Sequence, residues 1–378
     1  TAAALWKALQ EGLVLPQSEV YKFYIGETSV ASKAPAETSN SAVSYRFLHD
    51  RVQQAAYSLI PAADKQQTHL EIGRLLLANT TKSEREEQLF NITNHLNVGK
   101  ALITAVAERQ TRRELNLAAG QKAKLATAYQ AATEYFATGI ELLGDDCWRS
   151  QYQQALSLYE QAAEATYLNV DFPACEALTQ VILSSTQILL DKITTYEIQI
   201  QSHLAQSQLT EAIELTLEVL KQLGIDLPSE PNLAQTLLSF SQTKLSLLGK
   251  TTDDLLQLPK MTHPEKLATM RILSSAMSAA FTGAPKLLPL LVFQQVKLSV
   301  KYGNMPLSAF AYAWYGTILC GAFADIKNGY QFGQLALAVV DRFQAKNLRC
   351  KTRFMVETFV NPWSAHTKET IPALKTAY

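Results

Sequence analysis

Residues 115–143 read LNLAAGQKAKLATAYQAATEYFATGIELL, and their small and large side chains fall where two packed antiparallel helices need them. A tetratricopeptide-type repeat, about 34 residues long, requires small residues where its two helices touch and larger ones that wedge into the next repeat. With Ala132 at the small position of the second helix, Gly120 takes the small position of the first. Phe136 then becomes the aromatic wedge and Gly139 the following small site. Two further registers extend the pattern. Around Ala212, Tyr196, Val219 and Gly224 fit and Pro228 follows, whereas Ile200 stands where a small residue is usual. With Asp171-Phe172 as a turn, Ala163 and Cys175 meet at the helix contact. The anchors Ala132, Cys175 and Ala212 lie 43 and 37 residues apart, so the repeats are irregular.

Helical signals fill the chain on both sides of this segment, at 84–98, 111–125, 126–143, 148–169, 172–184, 188–206 and 209–223. Through 229–258 the repeat blurs, and at 316–343 it partly returns, where DIKNGYQFGQLALAVV reads as a turn and a second helix. The composition agrees: 47 % of the 378 residues are hydrophobic, with only 15 Gly and 13 Pro. Leu, Ala and Gln are abundant, which suits helices better than strands. The reading is therefore an all-α, tetratricopeptide-like solenoid of antiparallel helix pairs, with an irregular helical bundle as its alternative.

The first sixty residues differ. A helix at 2–10 leads into GLVLP, and VYKFYI at 20–25 reads as a strand. A polar loop at 26–44 and a second strand at 43–48 follow. Helix, strand, loop and strand make a small winged-helix-like segment with a long wing.

Thirty-four basic and 34 acidic side chains cancel, leaving no bulk field to gather nucleic acid or an anionic membrane surface. The four cysteines (147, 175, 320 and 350) form no Cys-x-x-Cys pair, and three lie in apolar helical stretches. They read as thiols of a reducing, cytoplasmic compartment. Residues 305–324 (MPLSAFAYAWYGTILCGAFA) carry no charge over the length of a membrane span. They are rich in Ala and Gly and poor in Leu, Ile and Val, which favours a helix buried among helices. Both ends of the chain read as mid-helix, so the expectation is a piece of something longer.

His49-Asp50-Arg51 is the one polar cluster where chemistry is plausible, at a strand-to-helix corner. Asp50 could cap the helix that follows. Alternatively an imidazole at His49, supported by Arg51, could donate to a phosphate. Elsewhere the signals are bland. Gly249-Lys250-Thr251 ends like a phosphate loop, but position 244 is Lys where the motif needs Gly, so a helix stop and a Thr cap are the better reading. His69, His95, His203, His263 and His366 are scattered at no metal-ligand spacing. Asp145-Asp146 and Asp253-Asp254 fall at helix junctions. Tyr129, Tyr135, Phe136, Tyr152, Tyr159 and Tyr167 read as inter-helix wedges. No assembled nucleophile, base or metal set marks a catalytic centre, and an autonomous enzyme with an unrecognised site is the rival reading.

A family resemblance bears on the whole chain. YRFLHDRVQQAAYSLIP at 45–61, HLEIGRLLL at 69–77 and LFNITNHLNVGKAL at 89–102 carry it, with 115–143 and AEATYLNVDFPACEAL at 163–178. The first of these stretches resembles the junction after the ATPase core in very large multidomain signalling proteins of bacteria, mainly cyanobacteria, and the others resemble the same family. Such proteins combine a serine/threonine kinase, a predicted AAA-type ATPase of the signal-transduction class with numerous domains (STAND), and GAF and sensor histidine kinase modules of two-component systems. The resemblance implies that 1–61 is the tail of the ATPase module and 62–378 a helical repeat region. ATP or ADP and Mg would then belong to the parent protein and not to this segment. It also implies that His49, with Arg51, senses nucleotide only when the ATPase core is present. The expected role is a non-catalytic regulatory scaffold. It would bind a protein or peptide partner, couple it to neighbouring ATPase and kinase domains, and have no nucleic-acid partner and no membrane span.

Overall fold

The computed structural model describes residues 2–16 and 45–377. It is an all-α, helical-repeat-like fold in which a single two-stranded ladder interrupts the helices among the described residues. Packing divides the chain into two compact units, 1–115 and 116–378.

In the first unit, α1 (Ala2–Gln10) ends at Gly12, which has a positive φ of 69°. The apolar run beyond it forms β1 (Val14–Pro16), paired antiparallel with β2 (Tyr45–Phe47) in the register Val14–Phe47 and Pro16–Tyr45. The strand expected at 43–48 is thus found, but its partner is the GLVLP link, read from the sequence only as a connection. The expected strand at 20–25 and loop at 26–44 lie outside the described residues. Helix α2 (Asp50–Ser58) buries none of its residues. Pro61 occupies the N-cap of α3 (Ala62–Asn79). The stretch 84–98, read as one helix, is two. α4 (Lys82–Glu87) starts with a Thr81/Glu84 capping box, and α5 (Leu89–Val98) follows after Gln88.

Helices α3 and α5 cross closely because glycines face leucines. A Cβ on Gly73 would stand 2.7 Å from Leu96 Cδ2, and one on Gly99 2.7 Å from Leu70 Cβ. Leu70, Ile92, Leu96 and Ile103 form the resulting core. The division between the units falls inside α6 (Val106–Leu125).

The second unit is built of helix pairs: α6 and α7 (Tyr129–Glu141); then, after the short α8 (Cys147–Ser150), α9 (Tyr152–Leu168) and α10 (Phe172–Ser185); then α11 (Leu189–Ala205) and α12 (Leu209–Gln222). Within each pair three residues reverse the chain, and the middle one is left-handed: Thr127 (φ 59°), Val170 (φ 63°) and Ser207 (φ 60°). The hydrogen bonds are the same each time. The Val170 N–H donates to Tyr167 O and the Asp171 N–H to Thr166 O, and the same two bonds close the turns at 127–128 and 207–208. This is the Schellman closure of a helix end, made here without glycine. The small residues anticipated from the sequence sit where they were expected. Ala132 and Phe136 are fully buried, and a Cβ on Gly120 would lie 2.5 Å from the Phe136 ring. Ala163 and Cys175 share a cluster with Ile198. Ile200, the misfit, is fully buried within the main core.

The blurred stretch is an insertion. Helix α13 (Leu233–Leu247) packs on α17 (Leu288–Tyr302), and the short α14 (Thr252–Leu256) packs on α19 (Ile326–Arg342). The consecutive helices α15 (Pro264–Ser275) and α16 (Met277–Gly283) return to stack on α11 and α12. Helix α18 (Pro306–Phe323) is the uncharged stretch, and it is buried on all sides, with Tyr312, Ala313, Tyr315 and Leu319 inaccessible or nearly so. It meets α19 at Gly316 and Gly329, where a Cβ on Gly316 would come within 2.7 Å of Gly329 O. Among the described residues no helix is long and apolar enough to cross a membrane. α20 (Lys346–Phe359), reached through a further left-handed turn at Gln344, and α21 (Thr367–Ala377) complete the unit.

Val170 is β-branched, exposed and held at φ 63°, a conformation that disfavours any side chain with a Cβ. Val170→Gly should therefore raise the stability of the second unit by about 1 kcal/mol. The measurement is the shift in urea midpoint at unchanged slope, and a loss of stability would show that the turn is not strained.

Candidate functional site

The His49-Asp50-Arg51 corner lies where β2 gives way to α2. Here the structure corrects the capping assignment: Asp50 is already the first helical residue, and His49 holds the N-cap position with φ −141° and no side-chain cap hydrogen bond. Asp50 therefore acts on the helix only as a negative charge in its first turn. His49, Asp50 and Arg51 are all exposed.

Beside this corner is a cavity of about 690 Å³, within the size range of small-molecule sites. One wall is drawn from the 45–61 stretch through Phe47, Asp50, Tyr57 and Ile60. The opposite wall comes from α3 and α5, with His69, Ile72 and His95. His69 and His95, 26 residues apart, are joined Nδ1 to Nδ1 at 2.9 Å, and His69 Nε2 meets the Tyr57 hydroxyl at 3.1 Å. The three groups form one chain of hydrogen bonds. A bond between two Nδ1 atoms needs one protonated and one bare nitrogen, so it cannot survive when both rings are charged. Burial holds His95 below the ordinary histidine range, and the neighbouring His69 pushes it further the same way. The sequence reading left these two histidines scattered, and only the α3–α5 crossing reveals the pair. His49 and Arg51 do not line the cavity.

The second unit carries a different arrangement. The first helices of consecutive pairs touch directly, α9 against α11 and α11 against α15, and polar side chains link them. Lys124 reaches Glu164 at 2.6 Å and Gln161 at 2.8 Å. The Tyr152 hydroxyl donates to Asp191 at 2.6 Å. Arg271 grips both carboxylate oxygens of Glu197, its Nε at 3.1 Å, and also donates to the Thr194 hydroxyl at 3.1 Å. The Gln201 amide donates to Ser275 O at 3.2 Å. Glu160 bonds Thr194, yet burial, reinforced by Asp191 and Glu197, pushes its carboxyl up to about 7. Burial also raises Glu197. The ladder thus sets four carboxylates against two cations, and all six are half-buried.

The remaining candidates resolve into structure. Thr251 caps α14, and its N–H and hydroxyl both go to Asp254, at 2.8 and 2.7 Å, so neither is offered to a phosphate. Gly249, at φ 75°, follows Leu248, the C-cap of α13, as a helix stop. Asp146 stands at the N-cap of α8 without a cap bond. His203 is bonded to Gln208 at 2.7 Å. Trp148 packs on Tyr152 and Tyr159. Cys147, Cys175 and Cys320 are buried free thiols, and Cys350 is exposed. Among the described residues no group of three or more His, Cys, Asp or Glu is placed to hold a metal ion.

Comparison with known proteins shows a distant similarity. A protein from Dictyostelium discoideum, hybrid signal transduction histidine kinase G, is 23 % identical over 381 residues, an alignment covering 89 % of this chain and 11 % of the relative. The chain thus spans about a tenth of the length of the curated relative it matches. No protein-family profile matches, and no solved structure does. The chain is therefore similar, over most of its length, to one segment of that much longer protein.

The histidine pair sets a pH dependence. Unfolding returns His95 to its ordinary value of about 6.5, so the first unit keeps its full stability above that pH. It loses stability as pH falls through the lower folded value, because the unfolded chain takes up the proton more readily. The thermal midpoint of the first unit should drop between pH 7 and 5, and drop less in His95→Gln. Equal slopes in the two proteins would remove His95 as the cause.

Proposed function

We propose that this chain is a non-catalytic regulatory segment of a multidomain signal-transduction kinase, a helical-repeat arm that binds a partner and reports to neighbouring domains. The observation that carries this reading is the alignment with the histidine kinase: it engages nearly all of this chain and only a small part of the relative. A segment of this kind has to act by contact with its neighbours. The resemblance of 45–61 to an ATPase junction supplies the finer version, in which 1–61 is the end of a STAND-type ATPase module and 62–378 a tetratricopeptide-like array. The parent protein would be cytoplasmic and would hold ATP or ADP with Mg outside this segment. His49 and Arg51, exposed at the corner, would then meet nucleotide only when that ATPase core is present.

The partner surface in this reading is the polar ladder on α9, α11 and α15. Its excess of carboxylates favours a basic segment, and repeat arrays bind peptides along such stacked helices. Binding should weaken with salt, and also as pH falls through about 7, where Glu160 takes up a proton and the ladder loses a negative charge. The probe is a fluorescent oligolysine peptide with oligoglutamate as control. Oligolysine should bind the chain, and the double variant Glu164→Lys, Asp191→Lys should lose tenfold or more. Equal binding of both peptides would contradict the assignment.

Two further measurements separate this arm from an enzyme. The purified chain should turn over no ATP, and hydrolysis above background would overturn the non-catalytic reading. In the full-length parent, His49→Ala should lower ADP affinity; unchanged affinity would take His49 out of any nucleotide site.

A further inference from the structure

The cavity beside β2 and α2 carries an inference independent of the proposal above. Four rings border it: Phe47, Tyr57, His69 and His95. The Tyr57 and His69 rings stand edge to face, 5.6 Å apart at 89°, and the His69 and His95 rings lie 4.8 Å apart at 35°. The hydrogen-bonded chain through Tyr57, His69 and His95 fixes these walls relative to one another and keeps at least one imidazole uncharged. Among the described lining residues the one carboxylate is Asp50, and none is Lys or Arg. Ala56, Ile60 and Ile72 add apolar lining.

Aromatic rings around an apolar space, with one carboxylate, make the chemistry that recognises an organic ammonium ion. The π faces attract the cation without the desolvation cost of a full ion pair, and the carboxylate adds the counter-charge. An anion would meet Asp50 with no cation among the described wall residues to offset it. A plain hydrocarbon would leave Asp50, Gln53 and Gln54 unused. The Tyr57 ring already attracts an ammonium group of this chain, since Lys65 Nζ lies 4.6 Å from its centroid, and Lys65 is not among the lining residues.

We propose that the cavity bordered by Phe47, Tyr57, His69 and His95, with Asp50 at its edge, is a binding site for an alkylammonium group. Its source is a free small amine or the modified side chain of a peptide, which share the same head chemistry. Lys65, as a neighbouring positive charge, weakens binding.

The test uses the chain as it stands and choline as probe, with 3,3-dimethylbutan-1-ol as the uncharged molecule of the same shape. Calorimetric titration should show choline binding at least tenfold more tightly than the alcohol. Asp50→Asn and Tyr57→Leu change exposed residues, and each should lower choline affinity about tenfold, whereas Lys65→Gln should raise it. A dipeptide bearing trimethyllysine is the second arm: tighter binding than choline assigns the head group to a protein side chain, and weaker binding to a free small molecule. Equal affinity for choline and the alcohol, or choline binding unmoved by Asp50→Asn and Tyr57→Leu, would overturn the proposal. So would no binding of either ammonium compound by a chain whose circular dichroism shows it folded.

Discussion

Two helices joined by only three residues can lie antiparallel only if the chain reverses through a left-handed residue, and the second unit is organised around that constraint. Thr127, Val170, Ser207 and Gln344 each occupy that place, and none is glycine. The strain at these positions is tolerated because each reversal closes two hydrogen bonds on the carbonyls of the preceding helix and brings the next helix into contact. The contact sites are then dictated by distance. Gly120 lies under Phe136, and Ala163 meets Cys175, because nothing larger fits between helices held so close. The turn sets the pair, the pair sets which faces remain, and those faces stack on the next pair.

Stacking explains the placement of the polar side chains. The contacts of α11 with α15 combine apolar core residues such as Ile193, Ile200, Ala268 and Ile272 with groups that need hydrogen-bond partners. The cross-links among Lys124, Glu164, Tyr152, Asp191, Glu197 and Arg271 satisfy most of them. Glu160 and Glu197 both keep a raised proton affinity; at Glu160, burial and two neighbouring carboxylates outweigh the help of Thr194 and Arg271. A row of half-buried charges contributes little to stability. In the proposed reading, its value lies in presenting a fixed pattern to a partner.

Much of this was readable from residue spacing. The anchors Ala132, Cys175 and Ala212 sit 43 and 37 residues apart, and the left-handed residues 127, 170 and 207 repeat the same intervals. Local rules also gave Thr251 as a cap and Gly249 as a stop. What stayed hidden depends on which helix lies against which. The insertion α13–α14 looked like a decayed repeat, because amphipathic helices read alike whether they continue a stack or leave it. Val14–Pro16 was taken for a link, since three residues carry too little alternation to mark a strand. His69 and His95 are separated by 26 residues and two helix boundaries, and their meeting follows from the close crossing permitted by Gly73 and Gly99. The capping role given to Asp50 failed by one residue, which moved His49 into the N-cap position.

If this chain is a partner-binding arm, occupancy should be felt on the stacked first helices before anywhere else. Hydrogen–deuterium exchange of the chain with and without the oligolysine peptide reads this directly. The account predicts added protection in Tyr152–Leu168, Leu189–Ala205 and Pro264–Ser275, with the insertion Leu233–Leu247 unchanged. Protection spread evenly over the chain, or confined to helices outside that ladder, would contradict it.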